Sequence, residues 1–259
     1  MQRYFIDKEC LISSNVAQIE GDDFHHMTRV MRMEPGDQVY AVIGDDVWLA
    51  EIVRIKSDCL DLHLLEQSMR QAEPTLRVTL IQGLPKGEKI DLVIRQASEL
   101  GVSRLVIFQA KRSVAKIPEH KLVERLARYR KLAKEASEQS QRASIVQVHY
   151  ASSLSEAVAL ARDDSLVVPY EAQDQGLPSL KQVLHDMRSQ DSRESVADQV
   201  GVSVVVGPEG GFDLAEIDEL MASGGRLCTL GPRILRTETV GVVISAILFY
   251  EFDQMVVAK

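Results

Sequence analysis

From residue 76 onward, short apolar runs typical of β-strands alternate with longer segments that have the periodicity of amphipathic helices. The strand-like runs read RVTLIQ, RLVIF, IVQVHY, SLVVPY, VSVVVG and RLCTL, and a helix-like segment follows each of them. Strands that alternate with helices predict a mostly parallel sheet with helices on both faces. The predicted fold class of this part of the chain is therefore α/β.

The first part of the chain, about 70 residues long, has a different pattern. DQVYAVI, VWLAEIVRI and CLDLHLLEQ alternate partly between apolar and polar residues and are separated by turn sequences, and the helix-like DDFHHMTRVMR precedes them. This pattern predicts a small β-barrel. Pro74 interrupts any continuous element, so the boundary between two domains is expected at 70–75.

Composition excludes several classes of protein. A hydrophobic content of 45% and a charged content of 26% are typical of a globular protein. The N-terminus lacks an apolar signal core, and the longest apolar run, VGVVISAILF, is short of the ~20 residues that a membrane span needs. Three scattered cysteines have no metal-ligand spacing. We therefore expect a cytoplasmic protein without a membrane segment or a bound metal.

The charge is unevenly distributed. The whole chain carries −8, but the segment 111–142 holds ten Lys or Arg against four Glu and is thus +6, which leaves −14 for the remainder. A basic stripe on an acidic body can still contact the phosphates of a nucleic acid. A solvated helix face of mixed charge is the alternative interpretation.

Several common motifs are absent. No G-x-G-x-x-G opens a strand–helix unit, GLPKGEK (83–89) lacks the spacing of a phosphate-binding loop, and no G-x-S-x-G occurs. An ordinary dinucleotide site is therefore not supported, which also disfavours a dehydrogenase. His25 and His26 are adjacent and would point about 100° apart on a helix, so they cannot readily share one metal. They are either polar or RNA-facing residues, or partly buried ones without a function.

A glycine-rich loop follows the strand-like run 202–206 in VSVVVGPEGGFDLAEIDEL. Gly210 and Gly211 permit unusual backbone conformations and let a ligand approach the main chain. Asp213 and Glu216 have the spacing of a capping box at the start of the next helix. A tight turn without a ligand remains the alternative for this loop alone.

A second loop, LGPRILRTET (230–239), leaves the following strand through the same Gly-Pro pair. Parallel strands end at one edge of a sheet, so the two loops are expected to frame one pocket. Leu230, Ile234 and Leu235 would enclose a flat ring, and backbone groups would bind its polar edge. Thr237 or Thr239 is expected to cap the final helix.

The second loop also carries Arg233 and Arg236 between apolar segments. A guanidinium near buried apolar residues needs a partner, which we expect to be a ligand carboxylate or Glu209.

These two loops, GPEGGF and, some 20 residues later, LGPRILRTET, resemble the motif pair of the RsmE family. This family comprises the small-subunit ribosomal RNA uridine-N3 methyltransferases of the trefoil-knotted SPOUT superfamily. The resemblance extends along the chain through RYF at 3–5, HHMTRVMRMEPGD at 25–37, KGEKIDLVIRQASELGV at 86–102, KRSV at 111–114 and RYRKLAKEASEQSQR at 128–142.

The resemblance implies two domains. Residues 1–72 would form a PUA-like β-barrel that binds RNA, and residues 75–259 a knotted SPOUT methyltransferase domain that binds S-adenosylmethionine (SAM) in the knot. It also implies a homodimer that acts on 16S ribosomal RNA in the small ribosomal subunit. The apolar run 240–252 would be partly a dimer face, or alternatively a helix inside the core of one subunit.

The resemblance further implies site residues. The cofactor would contact Pro169, Gly207, Pro208, Glu209, Gly210, Gly211, Leu230, Gly231, Ile234, Leu235, Thr237 and Thr239. RNA would contact Arg3, His25, Arg29, Arg32, Lys86, Arg112 and Arg142.

For catalysis, Arg236 is the expected cation beside the uracil carbonyl oxygens, unless it only pins the loop through Glu209 or Glu238. The base that removes the N3 proton is expected to be Glu209, Glu238 or water.

Two alternatives remain open. Ribose 2′-O methylation within the same superfamily usually comes with an Asn-x-Gly element, whereas this chain reads ELGVSRL there without the Asn. The other alternative is an RNA-binding assembly factor that keeps the fold without catalysis.

Overall fold

The computed structural model describes residues 1–68, 73–161, 165–171, 176–190 and 201–255. The chain divides into two compact units. The first comprises Met1–Glu73 together with Ser137–Ile145, and the second comprises Pro74–Ala136 and Val146–Lys259. The segment 137–145 therefore belongs to the first unit, although it lies within the stretch predicted to form the second domain.

The first unit is built on a six-stranded sheet with the order β1-β4-β5-β6-β3-β2. The strands are β1 (Arg3–Phe5), β2 (Leu11–Ser13), β3 (Val16–Glu20), β4 (Gln38–Ile43), β5 (Asp46–Ile55) and β6 (Cys59–Gln67). β1 pairs with β4 in parallel, and all other neighbours are antiparallel. A short helix, α1 (Gly21–His25), continues into a π-helical turn at His26–Val30, and a 3₁₀ turn covers Lys8–Cys10.

One face of this sheet encloses the core of the first unit. Alternate residues of the strands point inward, so Ile52, Leu60 and Leu62 are fully buried together with Tyr4 and with Met27 of the π-helical turn. The period-two pattern that predicted strands here thus corresponds to a sheet with one apolar and one polar face.

The segment 137–145 is fastened to the first unit by hydrogen bonds. The amide of Phe5 donates to the carboxylate of Glu138 at 3.2 Å, and the guanidinium of Arg3 donates to the carbonyl oxygen of Gln141. Arg3 also stacks over the ring of Tyr40, 5.5 Å from its centroid. Arg3 is only 3% exposed and its guanidinium serves this internal attachment, so its role as an RNA contact stays a prediction.

Glu73 forms the second attachment. Its carboxylate pairs with Arg142 at 2.7 Å and accepts hydrogen bonds from the amides of Ala143 (2.8 Å) and Ser144 (3.1 Å). Arg142 is 3% exposed and is likewise engaged inside the first unit, so its role as an RNA contact also stays a prediction. Both arginines belong to the packing of the first unit.

The second unit contains a six-stranded sheet with the order β12-β10-β11-β7-β8-β9, in which every neighbouring pair is parallel. The strands are β7 (Arg77–Gly83), β8 (Arg104–Phe108), β9 (Gln147–Ala151), β10 (Ser165–Pro169), β11 (Gly201–Val206) and β12 (Arg226–Cys228). The helices are α2 (Lys89–Leu100), α3 (Glu119–Gln139), α4 (Leu154–Ala159), α5 (Leu180–Gln190), α6 (Leu214–Ala222) and α7 (Thr237–Glu251).

Helices cover both faces of this sheet, as predicted. Ala157 of α4 and Leu220 of α6 join a buried cluster with Val106 and Val205 on one face. On the other face α2 and α7 pack together, and α7 also contacts β7 and β11. β11 is buried along its whole length, which explains why it reads as a continuous apolar run.

The strands β10, β11 and β12 end at the same edge of the sheet. β10 lies between β11 and β12, so the two Gly-Pro loops flank the end of β10 instead of being direct neighbours. The predicted strand RLCTL is shorter in the structure, where β12 covers only Arg226–Cys228.

Two further predictions concern the rest of the chain. The stretch 185–200 is polar in sequence, which is typical of a loop or a mobile helix end. Residues 185–190 form the last part of α5, and residues 191–200 lie outside the described residues. Among the described residues, no helix has the length and apolarity that a membrane crossing requires.

Candidate functional site

A cavity of about 580 Å³ opens at the ends of β10, β11 and β12. It is lined by every predicted cofactor residue except Thr239, namely Pro169, Gly207, Pro208, Glu209, Gly210, Gly211, Leu230, Gly231, Ile234, Leu235 and Thr237. The loops after β11 and β12 thus come together around one space. Cavities of this size are typical of small-molecule and cofactor sites.

The loop after β11 folds tightly against itself. The amide of Gly211 donates to the carbonyl oxygen of Pro208 at 2.9 Å, and Gly211 has a φ of +65°. A Cβ on Gly207 would lie 3.2 Å from the backbone of Gly211, so the close return of the chain favours glycine at both positions. The backbone of this loop is therefore open to a ligand in the cavity.

Helix α6 begins with the predicted capping box, which the structure confirms. The side chain of Asp213 accepts from the amide of Glu216 at 2.8 Å, and the carboxylate of Glu216 accepts from the amide of Asp213 at 3.0 Å. Glu216 also accepts from the amide of Lys111 at 2.9 Å, which fixes the loop after β8 to α6. This contact helps to place Arg112 on the wall of the cavity, where it reaches the carbonyl oxygen of Gly210 at 3.4 Å.

Neither threonine caps the final helix, contrary to the prediction. The N-cap of α7 is Arg236, without a capping side chain. The hydroxyl of Thr237 instead donates to the carbonyl oxygen of Gly207 at 2.6 Å and accepts from the side-chain nitrogen Nε2 of Gln82 at 2.9 Å. These bonds connect α7, the loop after β11 and the end of β7, so Thr237 holds the two walls of the cavity together. Thr239 is exposed and outside the cavity lining.

Of the two predicted partners for the arginines of the second loop, Glu209 is wrong, and a ligand carboxylate stays a prediction. Both Arg233 and Arg236 line the cavity and are exposed to solvent. Within the described parts of the chain, neither guanidinium is paired with a carboxylate. The expectation of a partner rested on burial, and the open mouth of the cavity removes that requirement because water solvates the charge.

Glu209 instead pairs with a residue that the sequence analysis did not single out. The ammonium of Lys89, at the start of α2, lies 2.9 Å from the Glu209 carboxylate and 3.2 Å from Oε2 of Glu238. The contact with Glu238 has the distance of an ion pair, but it does not meet the geometry of a hydrogen bond. Oε2 of Glu238 therefore has no hydrogen-bond donor among the described residues. The backbone amide of Lys86 also donates to Glu209, at 3.1 Å.

This arrangement keeps the groups charged. The hydrogen bond to Glu209 raises the pKa of Lys89. Partial burial raises the pKa of Glu209, but hydrogen bonds from Lys89 and from backbone amides outweigh it and leave that pKa below its ordinary value. Near neutral pH Glu209 is therefore a carboxylate paired with an ammonium ion. Lys89 was missed because its sequence context shows no partner, and only the fold brings its two carboxylates beside it.

Most of the charged residues that line the cavity are cationic. Lys89, Arg112, Arg233 and Arg236 line it, against two acids, Glu171 and Glu209. A concave site with a surplus of positive charge suits a ligand that carries phosphate or that develops negative charge.

The remaining predicted RNA residues are on the surface. Lys86 is exposed beside the cavity loop, and His25, Arg29 and Arg32 are exposed in the first unit. His26, next to His25 in the chain, is only partly exposed, and its Nδ1 forms a hydrogen bond with the hydroxyl of Tyr4 at 3.0 Å. In the described residues, no group of three or more His, Cys, Asp or Glu side chains is arranged to hold a metal ion.

Comparisons with known sequences identify related proteins. Residues 71–249 match the RNA methyltransferase domain family, and residues 19–64 match the RNA methyltransferase PUA domain. The chain is 33% identical to the ribosomal RNA small subunit methyltransferase E of Bacillus subtilis, over 98% of each protein. It is also 33% identical to the protein of the same name from Mycobacterium bovis, over 88% of this chain and 84% of that protein.

Solved structures have the same fold. The crystal structure of a hypothetical protein has a TM-score of 0.82 to this chain, and the two sequences are 31% identical. The match covers 96% of this chain and 98% of that one. A ribosomal RNA small subunit methyltransferase E from Neisseria gonorrhoeae, solved with bound S-adenosyl methionine, has a TM-score of 0.79 at 23% identity, with 96% of this chain and 97% of that one aligned.

Proposed function

The chain belongs to the ribosomal RNA small subunit methyltransferase E family, and from this premise we propose that it transfers a methyl group from SAM to N3 of a uridine in 16S ribosomal RNA. The observation that carries the proposal is the cavity at the ends of β10, β11 and β12, which two glycine-rich loops enclose within the matched RNA methyltransferase domain. Ligands of open α/β sheets bind at this edge.

The residues of the cavity fit SAM. Leu230 and Leu235 supply apolar surface for the adenine, and Ile234 lies at the rim, 74% exposed. Gly211 and Gly231 have positive φ angles and no atom within 4 Å of an added Cβ, so their backbone is accessible from the cavity. When bound, SAM supplies an electrophilic methyl group, and the protein positions the acceptor against it.

Arg236 stabilises the acceptor. Uracil N3 must lose its proton before or during attack, and the resulting negative charge spreads onto the carbonyl oxygens. An unpaired guanidinium at the mouth of the cavity can donate hydrogen bonds to these oxygens. Arg236 therefore lowers the energy of the transition state more than that of the bound substrate.

The N3 proton leaves to water. Glu209 is a poor base because its pKa lies below the ordinary value and its carboxylate is held by Lys89. Glu238, largely buried on the first turn of α7, lies 3.2 Å from the same ammonium, so its carboxylate is held as well. Water has direct access through the open mouth of the cavity.

RNA contacts the exposed basic residues. In the second unit Arg112 reaches the cavity itself and Lys86 lies beside it. In the first unit the exposed residues are His25, Arg29 and Arg32. Such contacts position a phosphate backbone without reading its sequence.

A homodimer forms through α7. This helix is apolar on nearly all sides, and its outer face exposes Tyr250 (73%) and Ile247 (37%) to solvent. Helices that are apolar all round are usually covered, and a second copy of the chain would cover this face.

Calorimetry with SAM and methyl transfer to ribosomal RNA test the function. We expect SAM to bind and labelled methyl groups to appear in small ribosomal subunits or in their naked RNA, with N3-methyluridine as the product on nucleoside mass spectrometry. A ribose-methylated product would indicate 2′-O methylation, and the absence of SAM binding would indicate an assembly factor without catalysis.

A further inference from the structure

The charged groups at and beside the cavity are paired selectively. Glu209, on the loop after β11, lines the cavity, and Glu238, on the first turn of α7, is buried beside Lys89. Both are bound by the same cation, Lys89. Arg236 immediately precedes α7 and lines the same cavity, yet it pairs with neither carboxylate.

This distribution is not what the sequence alone predicts. Arginine forms stronger, bidentate pairs with carboxylates than lysine does. Glu209 and Arg236 line one cavity of about 580 Å³, so a Glu209–Arg236 pair would be favourable if Glu209 were free. Glu209 is not free, because Lys89 and the amide of Lys86 occupy its oxygens.

We propose that Lys89 is a positioning residue that sequesters Glu209 and Glu238 and thereby keeps the guanidinium of Arg236 unpaired for the substrate. The proposal rests on the proposed function of the cavity. Lys89 acts through Arg236 and does not touch the reacting atoms. It also cancels part of the negative charge that would repel RNA phosphates from the mouth of the cavity.

Lys89 is well placed for this task. It is the first residue of α2, and its side chain is 35% exposed, so it reaches both carboxylates from outside the apolar core. Glu209 and Glu238 belong to different segments of the chain, and the ammonium lies between them. One lysine therefore holds both acids, 2.9 Å and 3.2 Å from its ammonium.

A competing explanation is that Lys89 only ties the two walls together. Removing the lysine would then loosen the cavity, and removing Glu209 as well would restore nothing. If Lys89 instead sequesters Glu209, the Lys89→Met substitution releases Glu209, which then pairs with Arg236. Adding Glu209→Gln to that variant removes the carboxylate and frees Arg236 again. The double variant K89M/E209Q therefore distinguishes the two explanations.

The experiment measures methyl transfer to small ribosomal subunits at saturating SAM, together with SAM affinity by calorimetry. For K89M we expect kcat to fall by about tenfold or more, because a transition-state contact is lost, and the Kd of SAM to change by less than about threefold. K89M/E209Q should be at least about fivefold more active than K89M, since the two substitutions are coupled through Arg236. Lys89→Arg should keep activity within about threefold of the wild type, because it retains the cation.

Lys181→Met is the matched control, because Lys181 is an exposed lysine in the first turn of α5 and lies outside the cavity. It should behave as the wild type. A double variant no more active than K89M, or a K89M enzyme with wild-type kcat, would overturn the proposal while leaving the proposed function intact.

A crystal structure of the K89M variant provides a readout that does not depend on activity. We expect the guanidinium of Arg236 to lie within about 4 Å of the Glu209 carboxylate. A structure in which they remain apart would overturn the proposal. A wild-type protein that methylates no ribosomal RNA would refute the proposed function instead, and the crystal structure would still decide whether Lys89 keeps the two groups apart.

Discussion

At the scale of single residues, the cavity depends on a few side chains that connect different segments. Thr237 joins Gly207 to Gln82, and Lys89 joins Glu209 to Glu238. Arg236, like Arg233, lines the cavity without a carboxylate partner in the described chain. An exposed cation that no internal contact requires is available to a substrate.

The prediction at this scale concerns Arg236→Ala. We expect kcat to fall by about 100-fold or more, as for the loss of an oxyanion contact, while the Kd of SAM changes by less than about threefold. Single-turnover kinetics and calorimetry check both values. The assignment of Arg236 fails if the variant turns over at the wild-type rate.

The sequence predicted which residues meet at the cavity better than it predicted their partners. The Gly-Pro loops and the capping box at Asp213 follow from local chemistry, because turns and caps depend on neighbouring residues. Thr237 was assigned to a cap, although its hydroxyl bonds to Gly207, which lies on another loop. Partners that are distant in the chain depend on the packing of strands, and no local pattern encodes it.

At the scale of elements, the site depends on how closely the strand ends approach each other. Gly83 ends β7 directly beside the loop after β11. A Cβ on Gly83 would lie 2.7 Å from both the backbone nitrogen and Cδ of Pro208. The loop can therefore hold its position only if residue 83 has no side chain.

Gly83→Ala is expected to displace the loop at Gly207–Pro208 and to weaken SAM binding by about tenfold, because misplaced backbone groups lose their contacts. Calorimetry measures the affinity. Gly241→Ala is the control, since the atoms nearest to its Cβ would be side-chain atoms of Leu80, the two terminal methyl groups at 2.9 Å and Cγ at 3.5 Å, whereas the Cβ at position 83 meets backbone. Equal SAM affinities for the two variants would contradict this account of the strand ends.

The elements themselves were largely predictable. The alternation of strands and helices predicted the parallel sheet of the second unit, and continuous apolar runs such as β11 are explained by burial on both faces. The order of the strands was not predictable in the same way, because β10 lies between β11 and β12. Strand order results from chain crossings, which a hydrophobic pattern does not contain. The predicted knot remains an expectation of the family resemblance.

At the scale of the whole molecule, the two units do not follow the chain in simple succession. The segment Ser137–Ile145 belongs to the first unit and is held there by Glu73, among other residues. Burial raises the pKa of Glu73, but the hydrogen bond and the charge of Arg142 outweigh it, so the pKa lies below its ordinary value. Because the folded state favours the carboxylate, this interaction stabilises the first unit above the unfolded pKa of about 4.3. The stabilisation is lost as the pH falls through the lower, folded pKa.

Glu73→Gln tests this linkage. At pH 7 we expect the variant to be less stable by about 1–3 kcal/mol, because the buried guanidinium of Arg142 loses its counter-charge. The difference should shrink as the pH falls below about 4. Urea unfolding followed by the fluorescence of Trp48 is suitable, because Trp48 is the only tryptophan and lies in the first unit. A destabilisation that does not change between neutral and acidic pH would rule out the charge as its cause.

The assignment of Arg3 and Arg142 shows why the RNA surface was the least predictable part. Both residues are basic and match the family pattern, yet both are buried. Charge in a sequence does not distinguish a guanidinium that packs one unit from one that faces solvent. The basic surface is therefore reduced to the exposed residues, with Arg112 at the cavity.

We propose that this protein methylates N3 of a uridine in small-subunit ribosomal RNA. The most direct measurement is mass spectrometry of nucleosides and mapped fragments of ribosomal RNA from a strain that lacks the gene. The account predicts the loss of a single N3-methyluridine from 16S ribosomal RNA and its return when the wild-type gene, but not the Arg236→Ala variant, is supplied. Ribosomal RNA with an unchanged content of N3-methyluridine in the deletion strain would contradict it.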